Sequence, residues 1–268
     1  MTETQSSPEL QSRILYEACP LCDHPDLSFA LRVSCVGHPL YQPILPAMMT
    51  WKRCSACAHV FTDGYFTPEA AQSVFSKINE HQQVGHDLES QRYVSARMVE
   101  KVLPCVSAGH WLDVGFGNAS LLFTAREYGF SPVGTDLRED NVRRLATHGV
   151  EAHCLDMTQL AHDGRYTVIS MADVLEHVPY PKDYLRSARR LLGDRGRLFL
   201  SMPNSECAVW MELDRTGTNP YWGELEHYHN FSRTRLYALL REMGLEPVRY
   251  GISERYRACM EVIARKAP

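Results

Sequence analysis

The sequence predicts an α/β fold of Rossmann-like type, a largely parallel sheet with helices on both faces, preceded by a small zinc-ribbon-like module. Three observations predict it. From about residue 106 onward, short apolar runs alternate with amphipathic stretches long enough to be crossover helices. A glycine loop, WLDVGFGNAS at 111–120, follows the first of those runs. Two C-x2-C pairs, CPLC at 19–22 and CSAC at 54–57, stand ahead of the alternation.

The chain of 268 residues is 44% hydrophobic and 22% charged, enough for one large core plus an appendage. Its net charge of -4 gives a whole-chain field that does not favour a polyanion, which argues against nucleic acid as partner. No run approaches the ~18 uninterrupted apolar residues of a membrane helix. The start, MTETQSSPEL, lacks the basic and apolar regions of a signal peptide. A cytoplasmic protein without membrane partner is expected. Nine cysteines in such a compartment point to metal binding rather than disulfides.

Taken in order, residues 1–18 read as a loose lead-in and 19–64 as the cysteine module, built of short strands and turns. Residues 65–105 read as a helical linker, with PEAAQSVFSKI and then DLESQRYVSARMVEKVL, stopped by Pro104. The main domain, 106–268, runs HWLDVG, a helix through ASLLFTAREYG, SPVGTD, a helix through NVRRLATHG, VEAHCLD, YTVISMAD, a helix near KDYLRSARRLLG, and GRLFLSMP. After a last helix, SRTRLYALLREMG, the rhythm changes: EPVRYGI and ACMEVIARK pair as a hairpin across SERYR.

Two C-x2-C knuckles separated by 31 residues offer four sulfurs, which complete a closed tetrahedron around zinc. Cys19, Cys22, Cys54 and Cys57 are the expected ligands of a structural zinc ion. His24 and His59 stand two residues after the knuckles as potential substitutes. Cys35, Cys105, Cys154, Cys207 and Cys259 read as small apolar fillers.

The glycine loop departs from a dinucleotide fingerprint. Gly115 and Gly117 are present, but the third glycine is replaced within Asn118, Ala119 and Ser120. Asp113, two residues before Gly115, would repel a diphosphate and attract an ammonium or a sulfonium. Asp136 ends the next strand, placed to accept hydrogen bonds from ribose hydroxyls, and Asp156 ends the one after, where an adenine amino group could be read. The ligand that fits is a nucleoside with a cationic appendage, S-adenosylmethionine.

DVGFGNA, VGTD, CLDM, ADVLEHVPYP and GRLFLSMPN resemble, in order and spacing, the motifs of class I S-adenosylmethionine-dependent methyltransferases over about residues 90–266. The resemblance implies a seven-stranded methyltransferase sheet with its last strand antiparallel. It implies cofactor contacts from Asp113, Gly115, Gly117, Asp136, Asp156, Met157, Ala172 and Asp173, and a lid from the helix carrying Arg92 and Tyr93. ADVLEHV would form the active-site floor, with Asp173, Glu176 and His177. In the ubiquinone-pathway O-methyltransferases an E-x-x-E-H version is associated with a divalent metal, and here Asp173 replaces the first Glu; loop anchoring is the blander reading. The WGELEHYHNFS stretch follows an aromatic-rich loop and brings Glu224, Glu226, His227 and His229. Its H-x-x-x-F-S pattern resembles the family, with the histidine near the acceptor and Ser232 capping the next helix. His227 and His177 are the expected catalytic residues, and a structural role for His227 is the alternative.

The cysteine segment resembles the zinc-binding segment of small-molecule methyltransferases, including sugar methyltransferases. No N-P-P-Y or D-P-P-Y follows the fourth strand, so oxygen or carbon of a polar small molecule is the expected acceptor. A zinc-finger RNA methyltransferase and a binding protein without turnover are the alternatives, and a homodimer is left open.

Overall fold

The computed structural model describes residues 12–75 and 80–268. Residues 76–78 of the first expected linker helix lie outside them.

The strands of the main domain are β6 (Gly109–Val114), β7 (Phe130–Thr135), β8 (Glu151–His153), β9 (Tyr166–Ala172), β10 (Leu192–Pro203), β12 (Leu245–Ile252) and β13 (Cys259–Lys266). They form one seven-stranded sheet in the order β12-β13-β10-β9-β6-β7-β8. β13 runs antiparallel to both neighbours, while β10, β9, β6, β7 and β8 pair in parallel. The expected sheet with an antiparallel last strand is therefore present.

Because side chains alternate across a strand, one sheet buries two sets of residues. Leu112, Ile169, Leu198, Leu200 and Val262 pack with α5 (Pro181–Leu191) and α7 (Arg233–Glu242). Trp111, Val168, Phe199 and Ile263 pack on the other face with α2 (Leu88–Val102) and α3 (Ser120–Glu127). α4 (Glu139–Thr147) adds Leu145 to a cluster with Phe116, Ala119 and Leu122. Pro104 follows α2 as expected, and Pro181 opens α5, where its missing N–H costs nothing.

The cysteine segment carries β2 (Leu27–Ser34), β3 (Met48–Cys54), β4 (Val60–Thr62) and β5 (Gly64–Phe66). α1 (Pro68–Phe75) follows. Residues 1–11 of the expected lead-in lie outside the described residues; in its described part β1 (Arg13–Leu15) pairs with β5, and Tyr16 is buried with its hydroxyl on the carbonyl of Pro179. The module's sheet has the order β11-β4-β3-β2, and β11 (His229–Asn230) comes from the loop ahead of α7. A two-residue strand carries no periodic signal, so sequence patterning could not place it.

The aromatic loop after β10 contains a helix, α6 (Ala208–Thr216), where the sequence suggested a loop. Cys207 caps it, its sulfur accepting from the Trp210 amide, so Cys207 is more than a filler. Cys154, just beyond the edge strand β8, is exposed and not an apolar filler at all.

Candidate active site and metal centre

The four expected zinc ligands converge. Each knuckle is closed by the same pair of hydrogen bonds: Asp23 and Ala58 amides donate to the Cys19 and Cys54 carbonyls, while Cys19 and Cys54 amides donate to the His24 and His59 carbonyls. Asp23 and Ala58 take positive φ, the turn that folds each pair back on itself. Cys19 Sγ lies 3.7 Å from Cys57 Sγ and Cys22 Sγ 3.5 Å from Cys54 Sγ. A tetrahedral zinc with Zn–S bonds of about 2.3 Å has S···S edges of about 3.8 Å, so the donor set fits the ion. His24 turns instead to the Asp26 amide, and His59 is buried against His229, its Nε2 3.0 Å from His229 Nδ1. Neither histidine stands among the four ligands.

At the C-terminal edge of the main sheet, Gly115 and Gly117 take positive φ, which a side chain resists. Ala119 takes it too, at a cost of about 1–2 kcal/mol, and is held there fully buried beside Phe116 and Leu122. Asp113 accepts from Ser170 Oγ at 2.6 Å and is buried. Burial raises its carboxyl to about 7, against the pull of Ser170 and the Arg255 charge.

Asp136 is buried and already engaged: Arg138 donates to it from its amide at 2.9 Å, from Nε at 2.8 Å and from Nη2 at 2.6 Å. A ribose at this carboxylate would compete with that guanidinium. Asp156 caps a short helical turn through the Thr158 amide and hydroxyl and accepts from Tyr184 Oη. Met157 is buried beside it, and Ala172 is half-buried at the end of β9.

Arg92 and Tyr93 themselves face away from the glycine loop, although their helix reaches it through Ser95, whose Oγ donates to Ser120 Oγ at 3.0 Å, and the chain just before that helix adds further contacts. Arg92 pairs with Glu127 at the surface and Tyr93 is exposed, whereas the Gly85 amide donates to the Asn118 carbonyl and Asn141 Nδ2 bridges the carbonyls of Gln82 and Gly117.

Beyond β9 the chain carries Asp173 in a left-handed conformation, φ 58°, with Ser201 Oγ donating to Oδ1 at 3.2 Å and Arg255 Nη2 3.2 Å from Oδ2. Strain of this kind concentrates at functional sites. Three groups then meet: Glu176, His177 and His227 bring ligand atoms within 4.8 Å of one another. Glu176 is buried, both its oxygens lack a partner, and burial with the nearby Asp173 charge holds its carboxyl well above the usual range. His227 is buried with Nδ1 unpartnered, and burial keeps its imidazole well below its usual pKa, hence neutral. His177 Nδ1 lies 3.1 Å from the Glu226 carbonyl and donates to it, which leaves Nε2 with the lone pair. These three side chains could hold a divalent cation. Asp173 is not among them, because it is turned to Arg255.

The loop between α6 and α7 is held by the module. His38, on the turn between β2 and β3, reaches Glu224, whose carbonyl accepts from the His227 amide at 3.1 Å. Trp51 Nε1 donates to the Trp222 carbonyl at 2.9 Å, and Trp210 stacks on Tyr221 at 5.1 Å. Ser232 caps α7 through the Arg235 amide, as its position suggested. Sequence reasoning missed Arg138, His38, Ser170 and Arg255. Only Ser170 left a signal, since strand alternation places it on the face of Val168, beside Asp113 across the β6–β9 pairing.

A family model described as a methyltransferase domain matches residues 87–250. A ubiquinone biosynthesis O-methyltransferase of Bordetella avium is 28% identical over 154 residues, 51% of this chain and 61% of that one. Its counterpart from Idiomarina loihiensis is 29% identical over 108 residues, 37% and 44% of the two chains. The chain thus spans about half the length of the curated relatives it matches. Among solved structures, the 1,6-didemethyltoxoflavin-N1-methyltransferase of Burkholderia thailandensis superposes with TM-score 0.52 at 20% identity, over 69% of this chain and 83% of that one. The magnesium protoporphyrin IX methyltransferase of Synechocystis gives TM-score 0.53 at 19% identity, over 66% and 84%. No helix of the described residues is long and apolar enough to cross a membrane.

Proposed function

Because the chain belongs to the methyltransferase-domain family, we propose that it transfers the methyl group of S-adenosylmethionine to an oxygen or carbon of a polar small molecule, such as a sugar or a phenol. The observation that carries this reading is the buried His227 grouped with His177 and Glu176, the latter two on the segment that follows β9. The names of the Bordetella and Idiomarina relatives, both O-methyltransferases, support oxygen.

Transfer is an in-line displacement. When bound, S-adenosylmethionine would supply an electrophilic methyl group on a sulfonium, whose sulfur would keep the carbon–sulfur electron pair as a neutral thioether while the methyl passes to the acceptor atom. Holding the two reactants aligned supplies about 7–11 kcal/mol of the barrier reduction. Asp113, the Gly115–Gly117 turn, Asp136, Asp156, Met157, Ala172 and Asp173 would hold the cofactor. His227, whose ring burial keeps unprotonated at neutral pH, is the group placed to take the proton of a hydroxyl acceptor. His177, fixed by the Glu226 carbonyl, presents its Nε2 lone pair to the same space. The tetrathiolate centre serves structure, since a closed zinc site has no open position for substrate.

The test incubates the protein and labelled S-adenosylmethionine with size-fractionated extract of its native cell. Label in a small-molecule fraction, lost in His227→Ala, is expected. Label in RNA would transfer the reading to the RNA methyltransferase alternative, and no label with intact cofactor binding would favour a binding protein without turnover.

A further inference from the structure

Arg255, in the turn between β12 and β13, is a cation placed among acids. Its Nη2 is 3.2 Å from Asp173 Oδ2, its guanidinium lies over the Tyr256 ring at 5.4 Å, and its side chain is 31% exposed. Asp173 is its one ion-pair partner among the described residues and Tyr256 its side-chain hydrogen-bond partner, which leaves part of its five N–H donors for a ligand. Its charge also reaches Asp113, where it favours the ionised carboxylate. The arginines of α2 point elsewhere: Arg92 pairs with Glu127 and Arg97 with Glu100, both at the surface.

S-adenosylmethionine ends in an amino acid, so its ammonium and its α-carboxylate are fixed two bonds apart. An ammonium drawn to Asp113 therefore brings a carboxylate into the same small volume, where a bare anion beside Asp113 and Asp173 would be repelled. We propose that Arg255 binds the α-carboxylate of S-adenosylmethionine, leaving Asp173 in part to do so, and that the Asp113–Arg255 couple selects a zwitterionic tail. The assignment rests on the cofactor reading given under Proposed function. It makes the β12–β13 turn a wall of the cofactor site, although in sequence it lies about as far from the glycine loop as the chain allows.

The experiment compares S-adenosylmethionine with decarboxylated S-adenosylmethionine, which lacks only that anion, by calorimetry on the full chain. A charge-assisted pair predicts that the wild type prefers the intact cofactor by about tenfold or more. Arg255→Met should remove the preference by weakening S-adenosylmethionine alone, and Arg255→Lys should keep part of it. Thermal melts of both variants, matched to wild type, exclude misfolding as the cause. A wild-type preference that survives Arg255→Met, or an equal loss for both compounds, overturns the assignment while leaving the cofactor reading standing. A wild type that binds neither compound overturns the cofactor reading and the assignment with it.

Discussion

His38 Nε2 lies 3.1 Å from Glu224 Oε2, a contact between the cysteine module and the loop between α6 and α7 across 186 positions of chain. The Leu40 amide donates to His38 Nδ1 at 3.2 Å, so the ring's remaining hydrogen is on Nε2 and points at the carboxylate. Glu224 in turn holds the His227 amide.

His38→Ala should therefore lower methyl transfer without loosening the cofactor. The contact is partly exposed, so an effect of about three- to tenfold is expected, the range of a single hydrogen bond to a charged group after screening. His38→Gln, whose amide can donate in the same direction, should restore part of the rate. Steady-state rates with the acceptor returned by the extract screen, alongside calorimetric cofactor affinity, provide the check. An equal fall in cofactor affinity would show the contact to be merely structural.

Asp113 makes cofactor binding depend on pH. Burial disfavours the charge and raises its folded carboxyl to about 7, whereas in an unfolded chain it ionises in the ordinary aspartate range near 3.8. Between those values the folded state binds the extra proton, so this group's contribution to stability declines as pH rises from about 4 to 7. Cofactor affinity moves the other way. An ammonium prefers ionised Asp113, so affinity should climb by up to about tenfold per pH unit below 7 and level off above it. Asp113→Asn should flatten the profile at its weak end. A wild-type profile that is already flat between pH 5 and 7, measured in buffers matched for ionic strength, contradicts this linkage.

Gly115→Arg should abolish cofactor binding with the fold largely retained. The backbone there has φ 64°, which costs a non-glycine residue about 1–2 kcal/mol, and a Cβ would meet Val174 Cγ2 at 3.5 Å, an ordinary contact. The backbone tolerates the change, but the long cationic side chain enters the cleft. Gly115→Ala separates the two effects: a modest drop in melting temperature is expected, with binding weakened rather than lost.

Removing zinc should damage the acceptor end first. Cys57 and His59 belong to one knuckle, His59 contacts His229, and His229 Nε2 donates to the Val178 carbonyl at 2.9 Å, one residue beyond His177. Cys57→Ser should lower the metal content measured by atomic absorption, lower the melting temperature and reduce methyl transfer. Affinity for S-adenosylhomocysteine should change less than transfer does, since Phe116 and Ala119 of the glycine loop pack with Leu122 and Leu145, while only Leu112, Val114 and Met157 share a core with Cys19 and Cys54. A loss of cofactor binding equal to the loss of transfer would refute this division.

The legible parts of the chain were those whose signal is local. Strand and helix periodicity located β6 to β10 and the closing hairpin, and the paired C-x2-C spacing identified four sulfurs that do meet. The acids at the strand ends were found because a parallel sheet delivers strand ends to one edge. What could not be read was contact between distant segments. Nothing near Asp136 announces that Arg138 occupies its carboxylate, and nothing in HNF at 229–231 announces a strand. Arg255 read as one polar residue of a turn, since its meaning depends on Asp113 and Asp173, brought close only by the folded sheet. The helix at 208–216 was hidden by aromatic residues that suit a pocket wall equally well.

His229 and Asn230 pair with Phe61 and Val60, so an edge strand of the module's sheet is supplied by the main domain. A chimera that borrows the cysteine segment from a relative but keeps this loop would mismatch a shared ladder and the Trp51–Trp222 bond in one stroke. Cutting the chain between residues 66 and 87 would likewise strip a partner from β11 and uncover Tyr228 and Leu225, which pack with Trp51 and Phe66. Transplanting acceptor preference from one such enzyme to another thus requires two stretches of sequence to travel together, the amino-terminal segment and the loop ahead of the final helix.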